Sequence, residues 1–312
     1  MKYDVLFLSW KRYKCILENI EILYKQGVCE NIYISNDGFN KNNFKDKQQI
    51  YKVRNKFIEL SKKYPEIKFY FNFFEKNKGC KEAVLEGIEW FFKHAKKGLI
   101  IEDDILIQKN CFTYLDYYKK FLKQNECFSL GLYAPSPLLN KKSNNCFIIQ
   151  TPIFYCWGWF TTKEKWLDYK KYKFSILKSI FNFKHCYSIF PERLVNYFIE
   201  NTILTNYNLK NSWAYLVQDY MINTKKFSLS PSINFVKNVG FADSIATHGA
   251  QETNPTPHEF NNDVIFTDKS RCIHYGELEK LTKALYQDHS KIRIIKIIIY
   301  SLLQKIIKLF KK

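Results

Sequence analysis

Four short apolar runs, each of the first three followed by a helix-like stretch, fill the opening third of this chain, and the fourth run ends in three consecutive carboxylates. Tyr3–Ser9, residues 31–35 and residues 67–73 have strand composition, and helical patterns fill about 12–25 and 48–63. After Asn77-Lys78-Gly79 a third helical pattern places Ala83, Val84, Ile88, Trp90, Phe91 and Phe92 at apolar positions and stops before Gly98. Leu99-Ile100-Ile101 then reads as a buried strand that runs into Glu102-Asp103-Asp104. Regular alternation of this kind predicts an α/β fold on a mainly parallel sheet. It also places the acidic triplet at the carboxyl end of the fourth strand, where ligands of open α/β sheets collect.

Three acids at a strand end are costly to bury without a partner. Oxygen ligands of this type suit Mg²⁺ or Mn²⁺, which keep waters and bridge to substrate phosphates; an acidic turn without metal is the alternative. Neither a G-x-G-x-x-G nor a Walker A sequence occurs, which argues against a dinucleotide enzyme or a P-loop ATPase.

Four segments in order resemble the GT-A (Rossmann-like) glycosyltransferases, in particular the N-acetylglucosaminyltransferases of the N-glycan core-branching type and their bacterial relatives. They are Ser9-Trp10-Lys11-Arg12, Ser35-Asn36-Asp37-Gly38, Ile101-Glu102-Asp103-Asp104-Ile105 and Cys156-Trp157-Gly158-Trp159-Phe160. Residues 230–240 and Ala246-Thr247-His248-Gly249 continue the resemblance. The resemblance implies that Arg12 helps hold the nucleotide, that Asp37 contacts a uracil and that Asp104 binds the metal. It implies that Trp159 lines the sugar and acceptor site and that His248 sits on a loop closing over the donor. Asp103 and Glu102 are expected to orient the site. The family's catalytic Asp follows a Trp, but here Ser212-Trp213-Ala214 carries alanine. Asp219 is the nearest acid and the expected general base; the alternatives are Asp243 and a catalytically impaired chain.

Each of these residues also has a plainer reading. Asp37 suits an ordinary Asp-Gly turn, Arg12 a solvated helix start, and His248 an unremarkable loop position. Trp157 and Trp159, two apart, share a face if they lie on a strand; both suit either a sugar platform or an aromatic core.

Net charge is +19, with 49 Lys and Arg against 30 Asp and Glu, which favours an anionic environment: nucleotide, phosphorylated glycan or membrane face. A nucleic-acid-binding protein is the rival, but no such module is recognisable and the basic residues are spread along the chain. Nine cysteines without a C-x-x-C pair suggest a reducing cytosol, and Met1 runs straight into the first strand without a signal peptide. Near the end, polar residues at 293, 296, 300, 304, 308 and 311 draw one basic stripe on an otherwise Ile- and Leu-rich helix. Its longest uncharged run, residues 297–304, is too short to span a bilayer but suits an anionic membrane interface; packing on its own domain or a partner subunit is the alternative.

The sequence therefore predicts a nucleotide-sugar-binding half over residues 1–125, an acceptor-binding half of the same domain over 126–285, and a basic amphipathic helix over 286–312. The expected activity is metal-dependent (Mn²⁺ or Mg²⁺), inverting transfer of a hexose from a UDP-sugar to a glycan or lipid-linked glycan, in surface polysaccharide or lipooligosaccharide synthesis. The expected location is the inner face of the cytoplasmic membrane, with no nucleic-acid partner. A sugar-phosphate nucleotidyltransferase shares the sheet and the carboxylates, but usually carries a Gly-rich N-terminal loop that is missing here.

Overall fold

A computed structural model describes residues 2–135, 144–186, 190–240 and 263–285. The first half runs β1 (Tyr3–Ser9), α1 (Lys14–Gln26), β2 (Cys29–Asn36), α2 (Phe44–Lys63), β3 (Lys68–Phe73), α3 (Gly79–His94) and β4 (Lys97–Glu102). Then follow β5 (Ile105–Ile107), α4 (Cys111–Tyr118), β6 (Cys127–Gly131), β7 (Asn145–Thr151), β8 (Trp159–Thr162), α5 (Lys163–Lys171), α6 (Ile176–Cys186), α7 (Glu192–Asn206) and α8 (Ala214–Asn223). The described chain closes with β9 (Phe227–Pro231), β10 (Val236–Asn238), β11 (Ile265–Cys272) and α9 (Tyr275–Leu285).

One nine-stranded sheet has the order β11-β7-β9-β6-β8-β4-β1-β2-β3, and a second, two-stranded one pairs β10 with β5. In β1, Val5 and Phe7 face one apolar cluster with Ile16, Ile20 and Leu23 of α1. Leu6 and Leu8 face the other, with Val84, Ile88, Phe91 and Phe92 of α3. Alternate residues thus feed opposite faces, which is why β1 reads as a continuous apolar run. Each such side chain, wholly buried, contributes about 1.5–3 kcal/mol. Turn chemistry agrees with the helix limits. Asn43 accepts a hydrogen bond from the Asp46 N–H at 3.0 Å and so caps α2. Gly27 ends α1 at φ +61°, in the left-handed region.

The strands β3, β2, β1 and β4 are parallel, as the sequence pattern predicts. Beyond β4 the pattern changes. β8 runs antiparallel between β4 and β6, pairing Ile100 with Trp159 and Leu130 with Phe160. Parallel pairs return at β6–β9 and β7–β11, so the sheet is mainly parallel but mixed. This is the α/β, Rossmann-like class expected from the sequence.

Two topological facts place the site. The chain moves outward from β1 to β2 to β3 and then returns to the other side of β1 as β4. The carboxyl ends of β1 and β4 therefore flank a switch point, where a crevice opens. Because β8 is antiparallel, its start lies at this same edge, bringing Cys156, Trp157 and Gly158 beside the ends of β4. The basic helix expected over 286–312 lies outside the described residues. Among the described residues no helix is long and apolar enough to cross a membrane.

Candidate active site cleft

A cleft of about 710 Å³ occupies the switch point. Arg12, Asp37, Asp103 and Asp104 all line it, four of the residues singled out from the sequence. Arg12 follows β1 and spans two acids: its Nε donates to Asp103 Oδ1 at 2.9 Å and its Nη2 to Asp104 Oδ2 at 3.2 Å. The other Asp103 oxygen accepts from the Trp10 N–H at 2.9 Å. Asp103 is thus buried and engaged on both oxygens, a positioning residue that ties the end of β4 to the end of β1. Asp104 turns toward the cleft with its side chain 17 % exposed, enough to reach a ligand.

Glu102 takes the third direction. Its Oε1 accepts from the Trp213 indole N–H at 3.2 Å, and burial pushes its carboxyl up to about 8, with the Asp104 and Asp103 charges adding to the effect. Burial likewise raises Asp103, against the pull of Arg12.

Asp37 has a different environment from the one expected. It is 5 % exposed, and its carboxylate accepts four hydrogen bonds. Oδ1 takes the N–H groups of Gly38 (2.7 Å) and Lys78 (2.9 Å); Oδ2 takes the Gly79 N–H and Asn77 Nδ2, both at 3.1 Å. A carboxylate has about four acceptor positions, and the chain fills them. Asp37 fastens the start of α3 to the end of β2, which leaves little capacity for a uracil imide. Burial pushes its carboxyl up, opposed by the N–H groups of Lys78, Gly38 and Gly79.

Trp159 and Asp219 are not brought to the cleft. Trp159 is fully buried, stacked on Trp213 (centroids 5.9 Å, 27° between planes) and on Phe128 (5.9 Å, 23°). As the first residue of β8 it points into the core, and Trp157, on the approach to the strand, faces the cleft instead. Gly158 between them has φ +74°, and a Cβ there would meet Val236 Cγ1 at 3.1 Å and Leu132 Cδ1 at 3.2 Å. The close approach served by Gly158 is therefore packing of the chain on itself. Asp219 lies within α8 at 1 % exposure, accepting from Tyr172 Oη, Ser179 Oγ and Asn223 Nδ2, none of which lines the cleft. Ala214 does line it, so the position where the resemblance implies a catalytic acid carries only a methyl group. His248 and Asp243 lie outside the described residues.

Several contributors are not among the site residues singled out from the sequence. Gly240 sits against Asp104: a Cβ there would lie 2.4 Å from Asp104 Oδ2, and Val239 N–H donates to the Asp104 carbonyl at 2.9 Å. Asn211 Oδ1 accepts from the Lys81 N–H at 2.8 Å, anchoring the 209–214 wall to the first turn of α3. Two thiols also line the cleft. Burial pushes Cys80 up to about 12 and Cys156 well above its ordinary range, which removes both as thiolate nucleophiles at neutral pH.

Among the described residues no three His, Cys, Asp or Glu side chains form a cluster able to hold a metal by themselves. The donor set suits an ion of another kind. Mg²⁺ and Mn²⁺ bind through one or two carboxylates and complete their shells with water and phosphate oxygens. Asp104, at the cleft surface beside a fixed guanidinium, fits an ion that arrives with a diphosphate.

No protein-family model matches the chain, and no curated protein is similar to it in sequence. Among solved structures it is similar to the mannosyltransferase PcManGT from Pyrobaculum calidifontis in complex with GDP-Man and Mn²⁺ (12 % identity, 53 % of this chain and 46 % of that one, TM-score 0.36). It is similar to residues 1–349 of S. aureus TarS (14 % identity, 55 % and 50 %, TM-score 0.36). A third is a UDP-glucose pyrophosphorylase complexed with UDP-glucose (12 % identity, 76 % and 93 %, TM-score 0.40). The chain spans about half the length of the first two. What the cleft can do is decided by its own side chains.

Proposed function

We propose that the protein is a glycosyltransferase that takes a sugar from a nucleoside diphosphate, UDP in the first instance, and passes it to a glycan or lipid-linked glycan. One observation carries this reading: Arg12, Asp103 and Asp104 converge at the switch point of the sheet, in a cleft bordered by the start of α3. Cleavage of a sugar–diphosphate bond builds negative charge on the leaving group. A divalent cation held by Asp104 supplies neutralisation of that charge when bound. Arg12 adds a permanent cation on the same side, and Asp103 fixes its guanidinium. Trp157 offers an apolar face to a pyranose ring.

Inversion needs a group to accept the proton of the acceptor hydroxyl, a step worth about 10²–10⁴-fold. We assign it to Glu102, the cleft carboxylate engaged by neither Arg12 nor a backbone N–H. Trp213 fixes one Glu102 oxygen and Trp159 stacks behind Trp213, which gives that buried ring a supporting role. A setting in surface polysaccharide or lipooligosaccharide synthesis, with the chain against the inner membrane face, accords with the +19 charge and the basic C-terminal sequence.

The test is thermal shift with UDP, GDP and CMP, each with and without Mn²⁺, followed by hydrolysis of UDP-sugars. UDP stabilisation that requires Mn²⁺ is expected, and Asp104→Ala is expected to abolish it while leaving the far-UV spectrum unchanged. Glu102→Gln is expected to retain UDP binding and lose at least a hundredfold in turnover. Indifference to every nucleotide would overturn the proposal.

A further inference from the structure

A second cavity, of about 810 Å³, opens at the opposite edge of the sheet. It is bordered by Lys97 at the start of β4, Cys127 at the start of β6 and Thr162 at the end of the antiparallel β8. These are the ends remote from Asp103 and Asp104, and the two cavities share no residue.

Seven lysines line this space against three carboxylates, an excess of four positive charges. Two of the acids are already engaged. Asp116 accepts from Tyr3 Oη at 2.8 Å and pairs with Lys119, and Asp168 accepts from Tyr220 Oη at 2.6 Å. Two of the lysines are held together. Lys165 Nζ donates to the Gln124 carbonyl and Lys226 Nζ to the Asn125 carbonyl, each at 2.9 Å, so consecutive carbonyls gather two ammonium groups. Burial pushes the Lys165 ammonium pKa down, and Lys226 pushes it the same way. Asp168 lies 3.5 Å from Lys226 Nζ, and the charges of Glu164 and Glu126 also act on Lys165, three acids that offset part of the cavity's excess. Like charges gathered in a concave, partly desolvated space gain from an anion set between them.

We propose that this cavity is a second ligand site, which binds a phosphate-bearing anion at Lys165 and Lys226. The site is independent of the cleft, and its ligand is either a soluble phosphate compound or a phospholipid headgroup.

Calorimetric titration of the full chain with inorganic pyrophosphate, and with vesicles of phosphatidylglycerol in phosphatidylcholine, tests the proposal and separates the two sources. The wild-type chain is expected to bind at least one probe. Lys165→Gln/Lys226→Gln is expected to bind that probe at least tenfold more weakly, with unchanged thermal stability and unchanged response to UDP. Binding of pyrophosphate alone identifies a soluble ligand, and binding of vesicles alone a headgroup. A control pair on the exposed face of α2, Lys45→Gln/Lys52→Gln, removes the same charge elsewhere and is expected to bind as the wild type does. No binding of either probe, an unaffected cavity variant, or an equal loss in the control pair would overturn the site; the last would show that diffuse charge accounts for the binding.

Discussion

Asp37 and Arg12 show how far single residues can be read before their partners are known. Both stand out in the sequence, but the groups that define their work lie some 40 and 90 positions away in the chain. With four acceptor positions filled from Gly38, Asn77, Lys78 and Gly79, Asp37 is expected to matter first for stability. Asp37→Asn turns an amide donor toward N–H donors and is expected to cost about 1–3 kcal/mol, measured by urea unfolding. Unchanged stability together with lost UDP binding would return Asp37 to the role of base contact. Arg12 neutralises Asp103 and Asp104, so the ligand-free chain should bind free Mn²⁺ poorly. Arg12→Gln is expected to strengthen Mn²⁺ binding in the absence of nucleotide, read by the loss of the free-ion electron paramagnetic resonance signal. Binding no tighter than in the wild type would show that the guanidinium does not compete with the metal.

At the scale of elements, the strand–helix alternation to β4 and the position of the acidic triplet are legible, because periodicity and turn residues are local. The antiparallel β8 is not, since pairing partners leave no mark on a four-residue strand. That one element decides that Trp157 meets the cleft while Trp159 is buried. The β5–β10 pair is equally hidden: it joins Ile105 to Asn238 and delivers Gly240 onto Asp104. A methyl group at 240 must displace that carboxylate. Gly240→Ala is therefore expected to reduce nucleotide-dependent metal binding at least tenfold with little change in unfolding midpoint, and calorimetry beside thermal denaturation would show it. Equal affinity in the variant would mean that the β5–β10 pair yields at no cost.

For the molecule as a whole, stability should depend on pH through Asp219. Burial raises its carboxyl from the ordinary 3.8 to about 6, so the folded chain keeps a proton that the unfolded chain has lost between those values. The resulting stabilisation is complete below the unfolded value and disappears as pH rises through about 6. Between pH 4.5 and 7.5 the loss amounts to about 2 kcal/mol, and Asp219→Asn is expected to remove that part of the slope in urea unfolding at the two pH values. An identical slope in the variant would place the titration elsewhere. The antiparallel β8 also bears on how the chain is made. During synthesis β4 is complete at residue 102, yet the strand that covers its open side begins only at residue 159. Until then a row of apolar residues presents unpaired backbone N–H and C=O groups, a template for any neighbouring nascent chain. A polypeptide ended near residue 125 would hold that exposed edge permanently and should aggregate, so the two halves of this sheet are not separable parts.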